Sequence, residues 1–363
     1  HYKNANGLVV GWGPTVTEIN HLALVFDEIY HIAPLHTASA PPSAIEYSGE
    51  NIYFVPITPS GGKKLSQKLA ILFNAPATIT KVHEILKKVD VFQLRAPTGI
   101  GVYMIPYLTL FIKKSGWFKY AGNWNQKKAP IGYGLQRWFL KNQKRKVTIN
   151  GSWGNQSTQC LSFENPCLTE IDRDNGMKSI ELKEFKAPFT YCFAGRLEDA
   201  KGVRRIIEAF TMLEDKELVK EVHMIGDGKN LNEYKILVKK SGINFKFHGF
   251  MNRTEVFKIF QQAHYFLLPS TASEGFPKVI AEAMNFGCIP IVSGVSSIGQ
   301  YVQHKKNGLI VSPVSSEVLS AKINESFLLT QKAIDTMQAY NHKHGQKFTY
   351  KYYTNRVLNE IVE

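Results

Sequence analysis

The feature that most narrows how this chain can fold is a regular alternation in its second half. Short apolar runs at 189–194, 221–225, 245–247, 266–269 and 289–293 are separated by segments of helical period at 202–213, 230–240, 253–262 and 277–286, and another such segment covers 314–329. Apolar runs that do not alternate with polar residues read as strands buried on both faces, and the helices between them supply the crossovers of a parallel sheet. A doubly wound sheet of this kind takes its ligands beyond the carboxyl ends of its strands. Glycine and polar residues gather at those ends here: Gly195-Arg196, Gly226-Asp227-Gly228, His248-Gly249 and the stretch from Ser270.

The first half follows the same logic less cleanly. A glycine-punctuated stretch at 8–14 leads into a helical pattern over 15–26. Strands are expected at 28–34, 52–57, 90–94, 118–120 and 146–150, with helices at 79–89 and 101–114. The segment 151–166 is rich in Ser, Asn and Gln with one charge, Glu164, and reads as a linker. The aromatic tail 350–362 reads as a helix that packs back on the first domain. The expected division is therefore 1–160 with 346–363, and 161–345.

Composition agrees with two folded domains. A chain of 363 residues exceeds a single ordinary core, and 44% hydrophobic residues are ample to fill two. Mean hydropathy is −0.18, which excludes a largely disordered chain. Four cysteines are too few for a disulfide framework, so reduced cytosolic thiols are expected. No run reaches the roughly 18 apolar residues of a membrane span, and the chain, which opens at His1, shows no signal peptide. A cytoplasmic protein, peripheral at most, is the expectation. The net charge of +14 is uneven: residues 1–165 carry 18 Lys and Arg against 8 Asp and Glu, and the remainder 26 against 22. A basic first half suits nucleic acid, anionic lipid or phosphorylated substrates.

Two stretches carry the chemistry. Ser273-Glu274-Gly275-Phe276-Pro277-Lys278 follows a strand and opens a helix, with Pro277 suited to its first position and the free N–H groups of the helix start facing an anion. Glu274 lies before that helix and Glu282 inside it, so two carboxylates can accept bonds from hydroxyls beside an anion site. That combination suits a nucleotide-sugar. The alternative for Glu282 is an i, i+4 pair with Lys278 on a solvated face. The second stretch places Arg196 and Lys201 in a loop after a strand, where both can meet phosphate oxygens or simply stand exposed. Gly226 and the turn at His248–Asn252, with Asn252 as a helix cap, mark two further strand ends.

Taken in order, Gly195-Arg196-Leu197 with Lys201-Gly202, Gly226-Asp227-Gly228, Phe247-His248-Gly249, Pro269-Ser270, Ser273-Glu274-Gly275-Phe276-Pro277 with Glu282-Ala283-Met284, and Asn307-Gly308-Leu309-Ile310 resemble the nucleotide-sugar-binding half of the retaining family-4 glycosyltransferases. The resemblance implies the GT-B fold, an α/β architecture of two doubly wound Rossmann-like domains facing each other across a cleft. It implies that Arg196 and Lys201 hold the donor diphosphate, Glu274 the sugar hydroxyls and Glu282 the ribose. The backbone at Gly275, Phe276 and Pro277 would lie against phosphate and sugar, and His248 to Asn252 would border the base. Transfer would run with retention, by a front-face mechanism without a metal or other cofactor. A UDP-sugar is the expected donor and GDP-mannose the next. The acceptor would be a glycan or lipid-linked glycan of bacterial surface polysaccharide synthesis, and the sugar a hexose or N-acetylhexosamine.

The first domain resembles the family in architecture only. Where many members carry a histidine after the fourth strand, this chain has Arg95, which cannot act as a base and is expected to contact a phosphate or an acceptor carboxylate. Its alternative is a loop arginine paired with a surface acid. By the same resemblance Gly11 and Gly13, in Gly11-Trp12-Gly13-Pro14, would line the cleft, and Lys119 to Trp124 with Asn123 would form an acceptor loop whose aromatics stack on sugar. His31, His36, His83 and His264 lack metal-ligand spacing and read as packing residues. Asn155-Gln156-Ser157 and Asn252-Arg253-Thr254 match the glycosylation pattern without a secretory signal beside them. An anionic membrane surface would be met by bases including Lys63, Lys64, Lys68, Lys87, Lys113, Lys141 and Lys144. Three other readings stand beside this one: a nucleotide-sugar epimerase of the same fold, a catalytically silent partner subunit, and a nucleic-acid-binding protein. The last lacks any recognition motif, so no nucleic-acid partner is expected.

Overall fold

The computed structural model describes residues 1–62, 70–154 and 156–362. Lys63, Lys64, Lys68 and Asn155 thus lie outside the described residues. The chain divides into His1–Asn165 with Tyr350–Glu363, and Pro166–Thr349, rather than at 160 and 345. Local contacts explain the difference. Arg356 in the tail donates to the Ser162 carbonyl at 2.8 Å, pairs with Glu164 at 3.3 Å and lies 3.8 Å from the Phe163 ring centroid, so 162–164 stay with the first unit. Phe348 accepts from the Cys167 N–H at 2.8 Å and stacks on Phe276 with centroids 5.0 Å apart, so it stays with the second.

The second unit is built on a six-stranded parallel sheet in the order Phe245–Gly249, Val219–Ile225, Phe189–Ala194, Tyr265–Leu268, Ile289–Ser293, Leu309–Val311. The order reverses beside Phe189–Ala194. Phe189–Ala194 and Ile289–Ser293 are buried at every position, as continuous apolar runs require. The helix Val203–Thr211 buries Val203, Ile206, Ile207 and Phe210, the i, i+3, i+4, i+7 stripe of a helix lying on a sheet. Each such side chain contributes roughly 1.5–3 kcal/mol on burial.

In the first unit a four-stranded parallel sheet runs Val91–Ala96, Ser115–Tyr120, Val147–Ile149, Cys160–Ser162. Helices Gly101–Leu110 and Ile131–Lys141 provide its first two crossovers. The polar segment expected to be a linker therefore contributes a strand, Cys160–Ser162, whose Cys160 is buried against the core around Phe118 and Leu140. Ile29–Pro34 pairs in parallel with Ile52–Ile57 over six residue pairs. The opening strands depart from the parallel expectation: Val9–Trp12 pairs antiparallel with both Tyr2–Lys3 and Ala44–Glu46. The tail helix Tyr350–Val357 packs within this unit, where Tyr353 and Val357 are buried with Leu22, Trp117 and Phe163. All four cysteines are buried and free.

Candidate active site

The loops that leave the second unit's strands are laced to one another through backbone bonds. Gly195 N–H donates to Ile225 O at 3.0 Å, Leu197 N–H to Asp227 O at 2.9 Å, and Gly226 N–H to Gly249 O at 2.8 Å. Gly226 has φ +127°, and a Cβ there would lie 1.9 Å from the Gly195 carbonyl oxygen. Its glycine is thus required by the approach of two strand ends, a packing reason that the sequence reading did not contain. The Ala200 carbonyl accepts from the N–H groups of Thr271 (2.9 Å) and Ala272 (3.2 Å) and from the Ser270 hydroxyl (3.1 Å). The loop holding Arg196 and Lys201 is therefore fastened to the loop holding Glu274.

That fastening brings Lys201 and Glu274 into direct ion-pair contact across 73 residues of sequence. Lys201 closes a short 3-10 turn, Asp199–Lys201, and Gly202 follows with φ +94°, where a Cβ would lie 2.5 Å from the Pro269 oxygen. Glu274 is held from the other side, its N–H donating to the Ser296 hydroxyl at 3.1 Å. The Lys201 side chain is 12% exposed and that of Glu274 32%, so the carboxylate keeps a face toward solvent. Arg196 sits in the same loop, three-quarters exposed, with Glu198 at 3.1 Å.

Helix Lys278–Asn285 begins directly after this loop, with Pro277 as its N-cap rather than its first residue and with no side-chain cap bond. Its first N–H groups and the positive end of its dipole thus meet the site. Gly275 and Phe276 are buried; the Phe276 ring packs between Tyr301 and Phe348, so this residue has only its backbone to offer a ligand. Glu282 lies a turn and a half into the helix. Arg253 pairs with it at 3.5 Å, and the i, i+4 Lys278 charge acts on it as well. Burial raises the pKa of Glu282, and the Arg253 charge opposes the rise. Arg253 also pairs with Asp172 at 2.9 Å and donates to the Cys167 carbonyl. Sequence reasoning missed Arg253, because nothing in the spacing links it to a glutamate 29 residues later.

The turn after Phe245–Gly249 divides its roles. The Asn252 side chain accepts from Glu255 N–H at 3.0 Å and closes a capping box, so its amide serves the helix Arg253–Gln262. His248 turns to His223, Nε2 to Nδ1 at 2.8 Å with stacked rings, and His223 reaches Glu221 at 2.9 Å. Among the described residues no group of three or more His, Cys, Asp or Glu side chains is placed to hold a metal ion.

In the first unit Gly13 opens the helix Gly13–Leu22, its N–H donating to Ser43 O at 3.0 Å. Gly11 lies in strand Val9–Trp12, where a Cβ would strike the His1 ring 2.3 Å away. Arg95 is not in a loop beside a surface acid. It stands in strand Val91–Ala96, 3.5 Å from Glu18, which is buried and also accepts from Lys119 at 2.6 Å. Half of the proposed acceptor loop is interior: Lys119, Tyr120 and Trp124 are buried, which leaves Ala121, Gly122 and Asn123 partly accessible. Tyr120 and Trp124 meet edge to face at 5.1 Å, so these aromatics fill the core instead of stacking on sugar.

Residues 177–344 match the model of the family "Glycosyl transferases group 1". An uncharacterized glycosyltransferase of Methanocaldococcus jannaschii is 23% identical over 187 residues, 46% of each chain. The glycosyltransferase WcaL of Salmonella typhimurium, provisionally assigned to colanic acid biosynthesis, is 30% identical over 146 residues, 38% of this chain and 36% of WcaL. The chain thus spans less than half the length of these two relatives. HepE of Anabaena, solved in complex with UDP and glucose, superimposes with a TM-score of 0.70 at 16% identity over 98% of both chains, which establishes the GT-B fold along the chain.

Proposed function

The chain belongs to the glycosyl transferases group 1 family through residues 177–344, and from that membership we propose that it transfers a sugar from a nucleotide-sugar to a glycan or lipid-linked acceptor. The observation that carries the reading is the contact of Lys201 with Glu274 at the strand ends, directly before the start of Lys278–Asn285. One site then offers a cation and free N–H groups to a diphosphate, and a carboxylate to sugar hydroxyls. Cleaving the bond between sugar and phosphate builds negative charge on the leaving diphosphate, which Lys201 and the helix start stabilise in place. Arg196, held only at the surface by Glu198, adds a second cation when it turns to the phosphates. Glu274 orients the sugar while the anomeric carbon gains oxocarbenium character.

In a front-face reaction the leaving phosphate oxygen takes the acceptor's proton, so the chain needs no separate base, and transfer retains configuration. A UDP-sugar is the donor class we favour, since HepE of the same fold has been solved in complex with UDP-glucose, and GDP-mannose the next. Surface polysaccharide synthesis is the favoured setting, as WcaL's assignment suggests. Arg95 has a place in this reading as a contact for an anionic acceptor group, since Glu18 neutralises only one of the two cations beside it.

The test is a thermal-shift panel of UDP- and GDP-sugars followed by transfer assays. A donor at a hundredfold excess over its Kd should add about 2.7 kcal/mol to native stability. Lys201→Ala should abolish most of that gain, and Glu274→Ala should remove turnover while the protein still melts cooperatively. A panel without any stabilising nucleotide-sugar, or full turnover by Glu274→Ala, overturns the reading.

A further inference from the structure

Between Asp90 and Glu164 the chain contains no aspartate or glutamate, while eleven Lys and Arg fall in that interval. The interval folds into the first unit's parallel sheet with its helices Gly101–Leu110 and Ile131–Lys141. Successive right-handed crossovers put both helices on the same face of the sheet. Their outward surface is apolar where a solvated helix would be charged. Ile131, Leu135 and Trp138, at i, i+4 and i+7, are 92%, 39% and 59% exposed. Leu110 and Phe111, at the end of the neighbouring helix, stand out as well. The helix cannot roll to hide its stripe, because its other face is fixed. Leu140 is buried, and buried Gln136 donates to Thr98 O at 2.9 Å and accepts from Thr98 N–H at 3.1 Å.

We propose that this helix face is a docking surface for an anionic lipid bilayer, with Ile131, Leu135 and Trp138 entering the headgroup boundary and the surrounding lysines meeting lipid phosphates. Charge complementarity selects this occupant. Exposed Lys127 and Lys128 precede the helix, exposed Lys113 and Lys144 follow the two helix ends, and no carboxylate of the interval is present to repel an anionic headgroup. Trp138 has the amphipathic ring that suits the interface. At eleven residues the helix is far short of a span, so it lies in the plane of the surface. Among the described residues no helix is long and apolar enough to cross a membrane. The proposal deepens the lipid-linked-acceptor reading, but its test needs neither donor nor turnover.

The test is co-sedimentation of the full chain with phosphatidylcholine vesicles, with and without phosphatidylglycerol. The wild-type protein should bind the anionic vesicles and leave the neutral ones. Ile131→Ser/Leu135→Ser/Trp138→Ser and, separately, Lys127→Glu/Lys128→Glu should each weaken binding at least about tenfold, since one interfacial lysine alone accounts for roughly fivefold. Circular dichroism melting checks that each variant is folded, independently of any nucleotide-sugar. Tryptophan emission should shift to the blue on vesicles, and Trp138→Phe should remove that shift. Three outcomes overturn the proposal: a wild-type protein that ignores anionic vesicles, an apolar triple variant that binds as the wild type does, or a dimer that the triple variant dissolves without any vesicle binding.

Discussion

Glu18 is a buried carboxylate paired with two cations, Lys119 and Arg95, and its removal tests how the first unit tolerates buried charge. It projects from Gly13–Leu22 and accepts from Lys119 Nζ at 2.6 Å and from the Tyr353 hydroxyl at 3.2 Å; Arg95 lies 3.5 Å away. Lys119 is 4% exposed and its ammonium lies 4.3 Å from the Tyr353 ring centroid. Burial and the Glu18 charge both push the Tyr353 hydroxyl's pKa well up, so this hydroxyl stays protonated and donates to Glu18. Glu18→Ala removes the carboxylate charge that faces the buried Lys119 ammonium. Breaking a buried pair from one side costs about 3–5 kcal/mol. With a urea m value of about 2–3 kcal/mol/M, the midpoint should fall by about 1–2.5 M. The assay is selective, because all five tryptophans (Trp12, Trp117, Trp124, Trp138 and Trp153) lie in this unit, and Trp117 is buried in the same cluster as Tyr353. Glu18→Leu combined with Lys119→Met removes both charges and should recover most of the loss. A loss under about 1 kcal/mol for Glu18→Ala, or a double variant as weak as the single one, refutes the reasoning.

Two further outcomes follow from the second unit. Gly202→Ala places a Cβ 2.5 Å from the Pro269 oxygen at φ +94°, so it should cost about 1–3 kcal/mol in melting experiments and shrink the stabilisation by nucleotide-sugar as the Lys201 loop shifts. His342 has its pKa lowered to about 4, by burial first and by the Arg173 charge second. A base lowered in the folded state contributes stability above its unfolded value near 6.5, and that stability drains away as pH falls toward 4. His342→Leu should therefore show a shallower drop in melting temperature between pH 7 and 5 than the wild type; equal slopes would exclude His342 as a source of the pH dependence.

How much of this was legible in the sequence follows from which residues do the burying. Strands Phe189–Ala194 and Ile289–Ser293 and the helix Arg253–Gln262 are found at the expected bounds, because their interiors are apolar and their ends are marked by glycine, proline or a capping asparagine. Helix Glu170–Leu182 went unread for the opposite reason: its buried positions are Asp172, Arg173, Gly176 and Ser179, a polar face that hydrophobic periodicity cannot register. Arg173 donates to Asn285 at 2.5 Å there, a bond no local pattern announces. Gln331–Gly345 likewise buries Gln338 and Asn341. Ile131–Lys141 was missed although Ile131, Leu135 and Trp138 keep a helical period, because Gly132 and Gly134 interrupt its first turns.

The candidate site divides in the same way. Which side chains cluster at the strand ends could be read from loop composition, but how they share charge could not. Glu274 and Glu282 look equivalent in sequence, yet one sits on a loop against Lys201 and the other inside a helix, buried beside Arg253. Burial penalises the charge of Glu282, and the Arg253 and Lys278 charges oppose that penalty. Glu274 carries its charge where solvent reaches it. The difference assigns them unequal tasks. In the proposed reading Glu274 accepts from hydroxyls of the reacting sugar, whereas Glu282 ties Lys278–Asn285 to Arg253 and, through Arg253 and Asp172, to the start of Glu170–Leu182. That bracing fixes the helix whose first N–H groups we propose meet the diphosphate, so in this reading the inner glutamate serves the anion site by holding its framework still.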